Sequence, residues 1–216
     1  MAHRKYQIAC VLIVAALVPF TGCKSAQAPA PAASAPAGKT PPSAPEPPPC
    51  HHCTLVSAGN FSRAESDMYF GGTVKNGSFG KFTHNRGVMP IDEQAVIRAN
   101  RDTLYSAAVF DLDAGPVTIT LPDAGKRFMS MMVIDEDQYV PLVAYGAGTH
   151  SLTKKQIGTR YAMVGVRTFV DPADPKDLEK VHALQDAIKV IQASPGSFDV
   201  PKWDQASQKK ERVSLS

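Results

Sequence analysis

Several constellations that would declare a chemistry are missing from this chain of 216 residues. There is no Gly-x-Ser-x-Gly elbow ahead of a helix, no His-Glu-x-x-His pair and no Walker or dinucleotide-binding glycine loop. The familiar hydrolase, zinc-protease and nucleotide-binding signatures are therefore excluded. Thr54 follows Cys50-His51-His52-Cys53, so that segment is not a haem c attachment site, which needs a histidine there. No second cysteine pair completes a structural zinc site, and His84, His150 and His182 stand alone in sequence. The longest apolar run, residues 8–20, falls short of the ~20 residues a membrane-spanning helix requires. Charge of one sign is also scarce. The net charge of +3 drops to +1 once Arg4 and Lys5 are set aside with a leader, which leaves no basic face for a nucleic-acid partner.

Proline is abundant, but in one place. Nine of the 18 prolines and eight alanines lie in residues 24–49, where no core can be built. Extended polyproline II is expected there, at ~3.1 Å per residue, giving a tether of up to ~80 Å. Ahead of it, the basic His3-Arg4-Lys5 and the apolar run form a leader ending in Phe20-Thr21-Gly22-Cys23. That ending resembles the lipobox of bacterial lipoproteins. The resemblance implies cleavage before Cys23, its lipidation, and, with Lys24 next, outer-membrane sorting facing the periplasm. Multiple acyl chains would give a durable anchor, at ~0.8 kcal/mol per buried methylene. The expected organisation is a signal peptide over 1–22, a lipidated tether over 23–53, a globular domain over 54–201 and a fraying polar tail over 202–216. In an oxidising compartment Cys50 and Cys53 favour a local disulfide. Zinc or copper held by Cys50, His51, His52 and Cys53 is the weaker alternative, and a catalytic redox role weaker still.

Local patterning predicts the elements of the domain. Ser62-x-x-Glu65 reads as a capping box for a short helix over 60–70 that Gly71-Gly72 ends. Strands are predicted over 95–98, 104–110, 116–121, 128–134, 139–145 and 160–170, the third alternating Val117, Ile119 and Leu121 with threonines. Gly146-Ala147-Gly148 reads as a hairpin turn. Asp174 as N-cap and Pro175 at N1 open an amphipathic helix that the apolar spacing carries to about Ala193. There is no room for parallel crossovers between Gln94 and Val170. The expected fold is α+β: a β-rich, mainly antiparallel sheet or half-sandwich with helices at its two sequence ends.

Chemistry-bearing side chains concentrate in Asn100-Arg101-Asp102-Thr103-Leu104-Tyr105-Ser106, where polar groups lead into an apolar strand. A buried Asp102 would need Arg101 as partner, and Tyr105 could donate its phenol. His84, Arg86, Asp135 and Glu136 are candidate companions for acid–base chemistry, against a structural alternative in which the polar groups fix strand register. Asp135-Glu136-Asp137 lacks calcium-loop spacing and reads as three solvated acids. Met129 and Met131 share a strand face and read as core rather than as copper ligands.

These segments also resemble a bacterial family known as domain of unknown function 1254. The resemblance runs over residues 60–145. It is carried by Phe82-x-His84-x-Arg86, Val96-Ile97-Arg98-x-Asn100-Arg101-Asp102-Thr103-Leu104-Tyr105-Ser106, Phe110-Asp111-Leu112-Asp113-x-Gly115-Pro116, Leu121-Pro122-Asp123-x-Gly125-x-Arg127-Phe128-Met129-Ser130 and Ile134-Asp135-Glu136-Asp137-x-Tyr139. It implies a β-rich exported domain and no established reaction. Longer members continue into a second β domain, domain of unknown function 1214, so a site shared between the two would need a partner here. The preferred reading is an envelope-anchored binding or scaffold lipoprotein. A cleft of Tyr105, Tyr139 and Tyr145, with Asn100, Arg101 and Arg86 as further contacts, would take a small amphipathic ligand or a protein partner. The alternative is a periplasmic enzyme with hydrolase-like acid–base chemistry through Asp102, Tyr105 and His84. No cofactor is implied.

Overall fold

The computed structural model describes residues 50–92 and 100–215. The expected leader, Cys23, the expected tether up to residue 49 and the whole strand expected over 95–98 lie outside the described residues.

The chain runs through α1 (Phe61–Lys75), β1 (Thr83–His84), β2 (Thr103–Asp111), β3 (Val117–Leu121), β4 (Met129–Asp135), β5 (Leu142–Tyr145) and β6 (Gly148–Leu152). It continues through α2 (Lys154–Ile157), β7 (Tyr161–Phe169), α3 (Pro175–Asp186), β8 (Lys189–Gln192) and α4 (Gln205–Ser214). One sheet has the order β1-β2-β7-β4-β5 and the other β6-β3-β8, and every pairing between these strands is antiparallel. The fold is the expected α+β arrangement, with the β content divided between two sheets.

The period of two decides where the core lies. Val117, Ile119 and Leu121 of β3 and Leu152 of β6 meet Ala108, Phe110, Met129, Met131, Val133, Ala162, Val164 and Val166 of the larger sheet in one cluster. Met129 and Met131 thus fill core, while Met132 points the other way and is exposed. α3 extends the covering of this inner face, packing Val181 against Leu104 and Val170. On the opposite, outer face, α1 lays Phe70 and Val74 against Val109 of β2 and Tyr161 and Met163 of β7.

Five local readings are corrected by packing. α1 continues through Gly71 and Gly72 to Lys75, because Phe70 and Val74 both have a surface to bury against. Its N-cap is Asn60, whose side chain turns back to accept from Ser57 N at 2.8 Å, and Glu65 is no capping residue. The apolar spacing after Asp186 belongs to β8, which completes the open edge of β3 with Val190 opposite Ile119. Gly146-Ala147 is not a hairpin turn: it carries the chain from β5 in one sheet to β6 in the other, with Gly146 at φ 71°. The polar tail, expected to fray, forms α4 and packs on α1. The cap at Asp174, accepting from Lys176 N at 2.9 Å, is as the sequence predicts.

Candidate functional site

The alternation of β2 separates the residues that the sequence groups together. Thr103, Tyr105, Ala107 and Val109 face outward, whereas Leu104, Ser106, Ala108 and Phe110 face the core side. Asn100, Arg101 and Asp102 precede the strand and are all exposed. Asn100 Oδ1 accepts from Asp102 N at 2.7 Å, an Asx-type turn. Asp102 is therefore not the buried carboxylate that would need Arg101, and no ion pair joins the two among the described residues.

His84 and Arg86 sit with Ser106 on the other side of β2. His84 Nδ1 lies 2.8 Å from Ser106 Oγ, and Gln185 of α3 donates to Ser106 Oγ and to the carbonyls of Asn85 and Tyr105. Arg86 donates to Gln185 Oε1 at 3.2 Å and to the carbonyl of His182, and it pairs with Asp186. Burial, and then the neighbouring Arg86, hold the His84 pKa below the ordinary histidine range, so the ring is neutral at neutral pH. A serine–histidine contact of this kind suggests a nucleophile, but Ser106 is only 2% exposed and Gln185 closes over it. The cluster fastens α3 to β1 and β2. It does not converge with Tyr105, which occupies the opposite face.

The acidic turn is structural as well. Asp135 Oδ1 accepts from the amides of Asp137 and Tyr139, both at 2.9 Å. Glu136 Oε2 accepts from Tyr161 N at 2.8 Å, and its other oxygen lies 3.2 Å from Arg63. Asp135 and Glu136 are buried, contrary to the expectation of solvated acids, because β4 ends beneath α1. Tyr139 is exposed at this end of the sheet, away from Tyr145 at the other end of β5. Cys50 and Cys53 are joined as a disulfide, His51 and His52 are exposed, and no three metal-ligating side chains converge among the described residues.

The side chains that do converge lie on the outer sheet face beyond α1. Register aligns Tyr105, Arg167, Ser130 and Tyr145 in one row across β2, β7, β4 and β5. The next row is Ala107, Gly165, Met132 and Val143. Beyond the first row, Phe128 and Phe169 meet through the Phe169 N–H and the Phe128 carbonyl, and the Phe128 ring leans on Tyr145 at 6.2 Å. Phe128, Phe169, Val143 and Tyr145 are 46, 45, 47 and 70% exposed. Among the described residues, a Cβ at Gly165 would meet nothing within 4 Å, which leaves a clearing in the sheet face there. At the end of the face a cavity of about 420 Å³ is bounded by Phe128, Phe169 and the Arg127–Asp177 ion pair, whose charges are spent on each other.

Arg63, Arg86, Arg127, Arg160 and Arg212 each hold a carboxylate, whereas Arg101 and Arg167 hold none among the described residues. The Arg167 guanidinium instead lies over the Tyr105 ring, 5.4 Å from its centroid. The sequence reading included Tyr105 and Tyr145 but missed Arg167, Gly165, Phe128 and Phe169. Two signals for them were present: a glycine in the interior of an apolar strand, which marks close approach of something else, and a single arginine in that strand.

Residues 79–165 match the model of a family described as Protein of unknown function (DUF1254). No curated protein matches the chain significantly. Among solved structures, the crystal structure of the VPA0106 protein from Vibrio parahaemolyticus is similar with a TM-score of 0.47 and 18% identity. The similarity covers 62% of this chain and 36% of that one, so this chain spans about a third of its length.

Proposed function

We propose that this protein is an envelope-anchored binding domain that takes an apolar ligand on the open half of its five-stranded sheet. The observation that carries the reading is the clearing over Gly165, with the exposed rings of Tyr145, Phe128 and Phe169 at the end of the sheet beyond it. Contiguous exposed apolar surface is rare on a soluble domain unless something binds there. The expected tether and the lipobox resemblance support a position near a membrane for such a surface.

The uncharged fluorophore N-phenyl-1-naphthylamine tests the reading on the mature chain. It is expected to bind saturably, and Gly165→Leu to weaken it about tenfold or more by filling the clearing. The thermal midpoint of that variant should stay within about 2 °C of the parent, since a Cβ there meets no described neighbour within 4 Å and leucine suits a strand better than glycine. Unchanged affinity in Gly165→Leu would sink the proposal.

The anchor is tested separately. Mass spectrometry of the mature protein should find Cys23 at the N-terminus carrying diacylglycerol. Cleavage elsewhere, or an unmodified Cys23, removes the anchor and leaves the binding face untouched. Among the described residues no helix is long and apolar enough to cross a membrane.

A further inference from the structure

Resting on that reading of the sheet face, we infer that the ligand is a small monocarboxylate with a flat aromatic body. Its carboxylate meets Arg167 and its ring lies over Gly165. A lone guanidinium in the middle of an apolar face is an unusual placement, and every arginine that ties this fold together has its carboxylate. Arg167 does not; its guanidinium carbon lies over the Tyr105 ring, an attraction that leaves its N–H groups for an acceptor. Ser130, its neighbour on β4, is half-buried, and its hydroxyl has no hydrogen-bond partner among the described residues. Arg167 and Ser130 together make a fork for one anionic group. One cation matches one negative charge; a phosphate, at about −1.5 to −2, would remain undercompensated.

Geometry sets the body of the ligand. The row of Gly165 lies two residues along β7 from Arg167, about 7 Å away. Tyr105 and Tyr145 stand three strands apart, about 14 Å, with only Arg167 and Ser130 between them in their row. The floor is therefore a short shelf of Ala107, Gly165 and Met132, with Tyr105 and Tyr145 at the two corners of the adjacent row, and α1 closes it at Val109 and Met163. A bicyclic ring fits that length. A long acyl chain does not, because α1 blocks the strand direction.

Titration calorimetry of the mature protein with 1-naphthaleneacetate and with its uncharged, nearly isosteric amide separates the contributions. The acid is expected to bind about tenfold or more tightly than the amide. Arg167→Gln should abolish that preference while leaving amide binding and the thermal midpoint intact, because the side chain is exposed and holds no carboxylate. Gly165→Leu should weaken both compounds. Equal affinity for acid and amide, or an unchanged preference in Arg167→Gln, overturns the anion assignment and spares the binding face. Failure of both compounds to bind a protein that still takes N-phenyl-1-naphthylamine overturns the assignment too. If the neutral fluorophore also fails, the binding face itself is wrong.

Discussion

Arg160→Ala is expected to lower the thermal midpoint by roughly 6–12 °C, corresponding to ~3 kcal/mol in a domain of this size. The Asp111 carboxylate at the end of β2 is 3% exposed and receives Arg160 through Nε at 3.1 Å and Nη2 at 2.9 Å. The amides of Asp113 and Ser197 complete its shell at 3.0 and 3.2 Å. Removing the guanidinium leaves a buried charge with two amides only, and stranding one partner of a buried pair is the costly way to break it. Gly196 shows how closely the site is packed: at φ 73° it lies against Asp111, and a Cβ there would stand 2.5 Å from Oδ2.

The pH dependence of this variant follows from the same contacts. Burial acts to raise the Asp111 pKa, but Arg160 and the two amides outweigh it, and the carboxyl is held below its ordinary value of 3.8. A depressed carboxyl adds stability above the unfolded pKa and loses it as pH falls through the folded one. In Arg160→Ala the burial effect dominates and protonation relieves it. The gap between parent and variant should therefore be widest at neutral pH and narrow below about pH 4. Thermal melts across pH check both statements. A constant gap, or a midpoint within about 2 °C of the parent at neutral pH, would mean that Asp111 is hydrated in the folded state.

Truncation after Lys202 should have the other large effect, a loss of about 4 kcal/mol or more, with α1 losing its protection from hydrogen exchange. The removed segment is polar, yet it satisfies the buried face of α1. Arg212 binds Glu65 through Nε at 3.1 Å and Nη2 at 2.6 Å. Gln208 donates to Glu65 Oε1 at 2.7 Å and to the Ala64 carbonyl at 3.1 Å. The Trp203 indole donates to Asp67 Oδ2 at 2.7 Å, and Thr54 bridges to Lys202 and Asp204 through backbone hydrogen bonds. Without them Glu65 and Asp67 hydrate, and Ala64 is uncovered. Burial already pushes the Asp67 carboxyl upward, and the Trp203 hydrogen bond offsets part of it. Exchange measured by mass spectrometry decides the matter. Full protection of α1 in the truncated chain would show that α4 is an ornament on a helix stable by itself.

The elements that could be read in advance are those whose cause is local. Alternation in Val117–Leu121 requires a half-buried strand wherever it docks, and Asp174-Pro175 caps a helix by bonds within four residues. The α+β class followed from these, and so did the core positions of β3, Met129 and Met131. The errors share one cause. Gly71-Gly72 stops an isolated helix, but Phe198, Val109 and Tyr161 pull α1 onward. Residues 189–192 carry helical spacing but complete the edge of β3, a hydrogen-bonding demand set some seventy positions earlier. The tail reads as solvated because its partners, Glu65 and Asp67, lie far back in the chain.

The candidate site divides in the same way. The sequence by itself determined that polar and aromatic groups lead into β2, that a proline- and alanine-rich stretch precedes the domain, and that the serine-hydrolase, zinc-protease and nucleotide-loop motifs are absent. Only the tertiary structure decided that His84 and Tyr105 lie on opposite faces of one strand and that Ser106 is sealed. It also placed Tyr105, Arg167, Ser130 and Tyr145 in one row. The reason is lateral pairing. Neighbours across a sheet are chosen by strand order and register, which depend on the burial of every strand at once, and no window of adjacent residues contains that information.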